Sequence, residues 1–334
     1  MNLKIDDVAK LANVSKATVS AVLNDKPGVS DSTREKVLDI IKKFNYRPNQ
    51  IARSLSIKAT KSIGLVIKEI DNPYYMKVMR GVFDACSRLG YTVLLGSSEL
   101  SFSKEEESIE TLVNQRVDGL IISPLQGKNR DFSYLAGLQS MQYPLVMLGK
   151  ITNYNTNVVD IENKRAAYAA VSYLIKSGYQ KIAYFTGPKN SLHSEDRAEG
   201  YKLALSDNNL PVIDKFIADA GSYFENGYTV GKEMFTRPGD KPSAVFCYND
   251  VVAIGLIEAL LELKIKAPGD VAVIGFDNID FCKYAKIPVT TIDNPAEQIG
   301  QKATELLVRQ INNREMPLNE NIILDTKLII RSSA

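Results

Sequence analysis

From residue 61 onward, short apolar runs alternate with segments of helical periodicity, and this alternation constrains the fold more than any other feature. A strand followed by a helix and another strand implies parallel pairing through right-handed crossovers. Strands are predicted at residues 62–67, 93–95, 119–123, 145–148, 158–161, 182–185, near Phe216, 244–247 and 271–276. Because the order restarts near residue 163, we expect an α/β fold with two doubly wound parallel sheets facing each other across a cleft.

Helical patterns fill the intervals between these strands. Pro73 begins the first helix, whose residues Tyr75, Met79 and Val82 share a face, and Gly90 ends it. Ser103 and Glu106 form a predicted capping box, which begins a helix that runs to residue 116. Further helices are predicted at residues 163–177, 195–208, 226–235 and 251–263.

The N-terminal stretch at residues 5–24, IDDVAKLANVSKATVSAVLN, predicts two short helices at 6–11 and 16–23, the second capped by Ser15. A third helix, capped by Ser30 or Ser32, follows. Its apolar stripe, which would close a three-helix core, consists of Val37, Ile40, Ile41 and Phe44. A lone pair of helices is more often a plain structural hairpin. The small, polar and basic outer face of the second helix, however, suits insertion into the major groove of DNA.

Charge is distributed unevenly along the chain. Residues 1–60 contain 11 Lys and Arg against 6 Asp and Glu, a net charge of +5, whereas the whole chain carries +2. The remainder is therefore at 2 − 5 = −3. A basic head on a mildly acidic body is typical of a protein whose head meets phosphates.

Several function classes are disfavoured by what the sequence lacks. GxGxxG and GxxxxGK[ST] are absent, and the single histidine has no cysteine cluster beside it, so we expect no nucleotide cofactor and no metal. No GxSxG motif or catalytic triad is recognisable, so we expect no enzyme. The sparse cysteines, Cys86, Cys247 and Cys282, and the lack of an apolar leader or membrane span indicate a cytoplasmic protein.

The segments DVAKLANVSKATVSAVLN and VSDSTREKVLDIIKKFNYRPNQIARSL resemble the head of the LacI/GalR family of bacterial transcription regulators. The rest of the chain is similar to that family's periplasmic-binding-protein-like core. The resemblance implies a helix-turn-helix DNA-binding domain at 1–46, a hinge helix or linker at 47–60, and an effector-binding and dimerisation core at 61–334. A near lobe would comprise about 61–161 and 293–323, and a far lobe about 162–292 and 324–334.

The same resemblance implies that a strand at 290–293, a helix at 296–312 and strands near Ile322 and Leu328 cross back between the lobes. It implies a homodimeric repressor, a near-palindromic operator and a small-molecule effector, either a sugar or a sugar phosphate. By analogy, Lys16, Ala17 and Ala21 would read bases, with Lys16 as the strong donor. Residues expected to hold phosphates are Ser15, Thr18, Ser20, Asn24, Ser30 and Thr33. Further DNA contacts are expected from Tyr46, Asn49, Ala52, Arg53 and Leu55.

Polar and aromatic residues follow the predicted strands, and the carboxyl ends of parallel strands converge on the cleft. The expected effector-binding residues are Asp71, Tyr74, Tyr75, Ser123, His193, Arg197, Tyr223, Asn249 and Asp277. The family resemblance makes Arg197, in RAEGY, and Asp277, in GFDN, the main contacts. Structural roles are the alternative for Tyr75, as a core residue, and for His193, as a surface loop residue. Asp250 also follows a predicted strand, and it could either contact the ligand or cap the helix at 251–263.

Three other functions remain as alternatives. The core could be docked by a phosphorylated carrier protein, as in the catabolite-control branch of the family, which Tyr74 and Tyr75 in IDNPYY resemble. The chain could instead be a sugar-binding transport protein, against which the basic head and the missing leader argue. An α/β enzyme acting on a sugar is disfavoured by the absent nucleotide motifs.

We predict that Leu55→Ala lowers operator affinity and reduces DNA bending without changing effector affinity. In the family, a leucine from each of two paired hinge helices wedges into the central base step, and unstacking that step costs a few kcal/mol. Phased gel-shift assays measure the bend, and fluorescence titration measures the effector. Unchanged bending and operator affinity would show that the hinge does not work this way.

Overall fold

The computed structural model describes residues 3–23, 25–46, 59–126, 132–151, 154–189, 191–313, 315 and 319–334. The chain divides into two compact units, Met1–Thr60 and Lys61–Ala334. Among the described residues, no helix is long and apolar enough to cross a membrane.

The smaller unit contains helices α1 (Ile5–Ala12), α2 (Lys16–Leu23) and α3 (Asp31–Lys43). Asn13, with φ 55°, ends α1 in the left-handed conformation. The Thr18 amide donates to Ser15 Oγ at 3.0 Å, as the predicted N-cap requires. Where the three helices meet, the buried side chains are Val8, Ala9, Ala12, Val19, Val22 and Val37. This small core packs against one face of α2, which leaves the other face of that helix available.

One predicted core residue of this unit is wrong. Phe44 is 43% exposed, because α3 ends at Lys43 and Phe44 lies past the helical stripe. Asn45 then adopts φ 46°, and the reversed chain brings the Tyr46 amide to the Ile41 carbonyl at 2.9 Å. Tyr46 therefore packs against the core, whereas Phe44 is exposed.

The larger unit is built from twelve described strands and the helices between them. The strands are β1 (Ser62–Ile67), β2 (Thr92–Ser97), β3 (Gly119–Ile122), β4 (Leu145–Leu148), β5 (Asn157–Ile161), β6 (Ile182–Thr186), β7 (Ile217–Asp219), β8 (Ala244–Cys247), β9 (Ala272–Phe276), β10 (Thr290–Asp293), β11 (Asn321–Leu324) and β12 (Lys327–Ile329). The helices are α4 (Pro73–Leu89), α5 (Phe102–Asn114), α6 (Ser133–Ser140), α7 (Asn163–Lys176), α8 (Leu192–Asp207), α9 (Phe224–Thr236), α10 (Asp250–Glu262), α11 (Phe281–Tyr284) and α12 (Ala296–Asn312).

Two six-stranded sheets form among these residues, and they confirm the predicted fold class. The first lobe has the strand order β11-β5-β4-β3-β1-β2, with every pair parallel. The second lobe has the order β12-β10-β9-β8-β6-β7, in which only β12 runs antiparallel, to β10. The chain crosses between the lobes after β5, after β10 and between β11 and β12.

Several element boundaries differ from the prediction. The helices α6 and α11 were not expected, and α8 begins at Leu192 because Ser191 caps it. The predicted capping box at Ser103 is wrong, since α5 begins at Phe102. Glu105, in the first turn of α5, is buried and accepts hydrogen bonds from the Leu125 amide at 2.7 Å and the Tyr134 hydroxyl at 2.5 Å.

Two glycines allow the crossing helix α12 to lie directly on α4 in the first lobe. A Cβ atom at Gly81 would lie 2.0 Å from the Glu297 carbonyl oxygen, and one at Gly300 would lie 2.3 Å from the Val78 carbonyl oxygen. Because both obstacles are backbone atoms, neither can move aside without shifting a helix. This close approach fixes the segment that joins β10 of one lobe to β11 of the other.

We predict that Gly81→Ala destabilises the protein by about 1–3 kcal/mol, since the added methyl group overpacks the contact between α4 and α12. Chemical denaturation of the full chain measures the free energy of unfolding. Gly137→Ala in α6 is the matched control, because its Cβ would meet no atom within 4 Å. Equal stability of the two variants would contradict the close helix contact.

Candidate functional site

A cavity of about 230 Å³ lies where the two lobes of the larger unit meet. Seven of the nine predicted effector-binding residues line it, namely Tyr74, Tyr75, Ser123, His193, Arg197, Asn249 and Asp277. Asp71 and Tyr223 do not line it: Asp71 is exposed, and Tyr223 is 38% exposed. The residues after β1 that turn inward are Lys68 and Glu69, at 8% and 4% exposure.

Arg197, on α8, is the most firmly held side chain of the cavity. Its Nε donates to Asn163 Oδ1 at 3.0 Å, and its Nη1 donates to the Tyr248 carbonyl at 2.5 Å. The guanidinium carbon also lies 3.5 Å from the centre of the Phe276 ring. The remaining nitrogen, Nη2, is 3.9 Å from Asp277 Oδ1, which is too long for a hydrogen bond. The protein therefore fixes the orientation of this cation and leaves one of its donor groups for the cavity.

Asp277 follows β9 in a backbone conformation that is rare outside glycine, with φ 107°. Its amide donates to the Ile292 carbonyl at 2.9 Å, and its carboxylate accepts from Asn294 Nδ2 at 3.0 Å. Burial raises the pKa of Asp277, and the positive charge of Arg197 opposes that rise. Among the described residues, the buried Asn294 Oδ1 has no hydrogen-bond partner. These acceptor oxygens suit the hydroxyl groups of a ligand.

Asp250 lies beneath this loop and supports its conformation. Its carboxylate accepts from the Thr291 hydroxyl at 2.5 Å and from the Ile279 amide at 2.9 Å. Burial raises the pKa of Asp250 to about 7. The helix cap suspected at this position is instead its neighbour Asn249, whose Oδ1 accepts from the Val252 amide at 2.8 Å. Asn249 Nδ2 donates to the Ser222 carbonyl at 3.0 Å, so both ends of that side chain bond to protein.

His193 lies in the first turn of α8 and not on a surface loop. Its Nε2 is 3.5 Å from Asp160 Oδ2, across the junction of the two lobes. Burial opposes ionisation of Asp160, but the attraction of His193 and the hydrogen bond from the Ile161 amide lower the pKa of Asp160 overall. A Cβ at Gly149 would lie 2.7 Å from the same imidazole nitrogen, so the glycine makes room for this pair.

Tyr74 and Tyr75 contribute aromatic surface next to these charges. Their rings meet edge to face, with centroids 5.2 Å apart. Tyr75 is buried and shares a hydrogen bond of 3.0 Å with Ser123 Oγ, so it serves the core and lines the cavity. Burial raises the pKa of both tyrosines, which keeps their hydroxyl groups neutral.

Sequence reasoning missed Lys68, Glu69, Gln126 and Asp160 as cavity residues. Three of them bridge the lobes: Glu69 accepts from the Ser222 hydroxyl at 2.8 Å, Gln126 accepts from the Leu192 amide at 2.9 Å, and Asp160 faces His193. The signal that could have found them is their position at or just after the ends of β1, β3 and β5, where cleft residues are expected.

The smaller unit presents the outer face of α2. Lys16 and Ala17 are exposed, Ser20 and Ala21 are half-buried, and Lys16 Nζ lies 3.3 Å from Asp6 Oδ1. The hydroxyl groups pair within their own turns: Ser15 Oγ lies 2.9 Å from Thr18 Oγ1, and Ser30 Oγ lies 2.9 Å from Thr33 Oγ1. Five predicted DNA contacts lie outside the described residues: Asn24, Asn49, Ala52, Arg53 and Leu55.

Comparison with known proteins identifies both parts of the chain. A family model described as "Bacterial regulatory proteins, lacI family" matches residues 4–49, and one described as "Periplasmic binding protein-like domain" matches residues 171–334. The HTH-type transcriptional repressor PurR of Haemophilus influenzae (strain PittEE) is 32% identical over 331 residues, covering 98% of each chain. The ribose operon repressor of Haemophilus influenzae (strain ATCC 51907 / DSM 11121 / KW20 / Rd) is 32% identical over 332 residues, covering 98% of this chain and 97% of the repressor.

Solved structures agree over the full length. The Lac repressor bound to ONPG in its repressed state superposes with a TM-score of 0.88 at 25% identity, covering 100% of both chains. A complex of the transcriptional regulator CelR with cellobiose gives a TM-score of 0.74 at 28% identity, covering 99% of this chain and 100% of CelR. On this evidence the chain belongs to the LacI family of bacterial regulatory proteins and is a DNA-binding transcriptional regulator.

Proposed function

We propose that this protein is a homodimeric repressor whose affinity for a near-palindromic operator is set by a sugar or sugar phosphate bound between the lobes. The observation that carries the proposal is the pairing of the immobilised Arg197 with the acceptors Asp277 and Asn294 in one cavity. At about 230 Å³, that cavity is smaller than the roughly 300–1,000 Å³ of most ligand pockets, which favours a monosaccharide-sized effector.

The names of two relatives support a carbohydrate. One is a ribose operon repressor, and one solved neighbour is a complex with cellobiose. Aromatic faces at Tyr74 and Tyr248, next to Asp277 and Arg197, provide the contacts that a polyhydroxylated molecule needs, since rings pack on its C–H faces while charged groups bond its hydroxyls.

In this proposal residues 1–46 bind the operator, 47–60 form the hinge, and 61–334 form the effector-binding and dimerisation core. The lobes are held together around the cavity by Glu69–Ser222, Gln126–Leu192 and, at 3.1 Å, Lys77–Asp280. An effector that binds one arrangement of the lobes more tightly shifts the population toward it. The shift would change the spacing of the two hinges in the dimer and so their ability to pair on DNA.

We also propose that the protein binds its effector without transforming it and acts in the cytoplasm, where the operator lies. Support comes from the cavity carboxylates, Glu69, Asp160 and Asp277, which each accept a hydrogen bond from the protein. Carboxylates fixed in this way have acceptor sites left for the hydroxyl groups of a ligand.

The whole proposal is tested by binding-site selection with the full chain, followed by titration of the selected DNA in the presence of sugars, sugar phosphates and purines. A near-palindromic site whose affinity changes with one class of compound is the expected result. Failure to enrich any DNA sequence, or turnover of a bound sugar, would contradict it.

We predict that Lys16→Ala relaxes the preference at one base pair in each half-site and costs about 1–3 kcal/mol there, because Lys16 is the exposed strong donor on α2. Lys10→Ala is the matched control, since it removes an equal charge from α1 and is expected to weaken binding equally on all sequences. Binding-site selection on both variants distinguishes the two effects. Recovery of the wild-type motif with Lys16→Ala would refute the assignment.

We predict that Asp277→Asn weakens effector binding by about 1.5–3 kcal/mol while effector-free operator binding is retained. Asparagine keeps the shape of the side chain and tolerates positive φ, so the loop after β9 is preserved. Calorimetry measures effector affinity, and gel shift measures operator affinity. The control is Asp219→Asn, whose carboxylate pairs with Lys189 at the second lobe's surface and does not line the cavity. Normal effector affinity in Asp277→Asn would count against the site.

A further inference from the structure

Lys68 is a buried cation that the contacts described so far do not explain. It directly follows β1, is 8% exposed and lines the cavity between the lobes. Within the described part of the chain, no oxygen accepts a hydrogen bond from its ammonium group or lies within the 4.0 Å of an ion pair. Buried charges in proteins are normally paired, because removal from water without compensation is costly.

The carboxylates near Lys68 are already bonded to other groups. Glu69, Glu105 and Asp160 attract the ammonium group, but burial outweighs them and lowers the pKa of Lys68. Glu69 accepts from Ser222 Oγ at 2.8 Å with one oxygen and from Asn72 Nδ2 at 3.1 Å with the other. The two oxygens of Glu105 bond the Leu125 amide and the Tyr134 hydroxyl.

Asp160 is engaged in the same way. It accepts from the Ile161 amide at 2.8 Å through Oδ1, and its Oδ2 faces His193 at 3.5 Å. Five of the six carboxylate oxygens around Lys68 therefore accept hydrogen bonds from the protein, and the sixth, Asp160 Oδ2, faces His193. The N–H donors of Lys68 bond no oxygen of the described residues. Arg197 adds a second donor to the same cavity, because its Nη2 is 3.9 Å from the nearest carboxylate oxygen, on Asp277.

We propose that the effector carries an anionic group, a carboxylate or a phosphate, which binds Lys68. The inference rests on the proposed effector function and makes it more specific: the ligand is a monosaccharide acid or monosaccharide phosphate, and a neutral sugar is a poor ligand. Its hydroxyl groups face Asp277 and the unpartnered Asn294 Oδ1, while its anionic group supplies the acceptor that Lys68 lacks. Charge-assisted hydrogen bonds of this kind are about twice as strong as neutral ones.

The first test compares matched ligands on the full-length wild-type chain at constant ionic strength. The carboxylate arm is D-gluconate and D-glucuronate, the phosphate arm is D-glucose 6-phosphate and D-ribose 5-phosphate, and the neutral arm is D-glucose and D-ribose. Inorganic phosphate and acetate serve as fragment probes. We expect thermal shift and calorimetry to show at least tenfold tighter binding of one anionic arm than of its neutral parents, and the responding arm identifies the group.

The second test is Lys68→Met, with Lys164→Met as the matched control. Lys164 carries the same charge but does not line the cavity; it is exposed and pairs with Glu199 at 3.1 Å. We expect Lys68→Met to lose at least tenfold in affinity for the anionic ligand, with an unliganded melting temperature equal to or above that of wild type. The rise follows from removal of an uncompensated buried charge. The control should bind as wild type does.

The inference is overturned if neutral parents bind as tightly as their acids and phosphates, or if Lys68→Met retains wild-type affinity. It is also overturned if no anionic probe stabilises the wild-type chain beyond sodium chloride. A neutral sugar that alters operator affinity would then leave the proposed repressor function standing. Conversely, Lys68-dependent anion binding without any effect on selected operator DNA would refute the proposed function and keep the anion site.

Discussion

The burial of the Arg197 guanidinium is the constraint on which the cavity between the lobes depends. Its contacts join the start of α7 at Asn163, the end of β8 at Tyr248 and the end of β9 at Phe276. A charged group this deeply buried is tolerated only where acceptors and ring faces compensate it. The second lobe therefore has to place these three elements together, and that placement also directs Asp277 at the cavity. The packing that stabilises the lobe thus organises the ligand site.

Three contacts at the cavity wall join the two lobes, so any change in the arrangement of the lobes alters the cavity. Glu69 with Ser222, Gln126 with the Leu192 amide, and Asp160 with His193 each join one lobe to the other at the cavity wall. A ligand placed among them competes with, or adds to, the same hydrogen bonds that set the lobe arrangement. A ligand bound at these contacts is therefore coupled to the arrangement of the lobes through shared atoms. The close contact between α4 and α12 at Gly81 and Gly300 fixes the segment that passes from one lobe to the other.

Sequence patterns predicted which strand ends would meet, but not which residue at each end would turn inward. Asp71 and Tyr223 were expected in the cavity, whereas Lys68 and Glu69, only a few residues from Asp71, are the ones that line it. Side chains alternate in direction only within a strand, so the pattern does not predict which residues of the following loop face the cavity. His193 lines the cavity as predicted, but it lies in a helix and not in the loop before it, because α8, capped by Ser191, begins at Leu192 and not at residue 195.

The sequence by itself determined the secondary structure of the head, the alternation of the core and the family, since all three depend on local periodicity, capping and motif spacing. Arg197 and Asp277 were also identifiable, because each stands in a short motif that the family shares. Only the tertiary structure decided that Lys68 is buried without an ion pair to any described residue, that Asp160 meets His193, and that Asn249 bonds to protein at both ends of its side chain. Those facts depend on distances between residues far apart in the chain, which hydrophobic pattern and propensity do not encode.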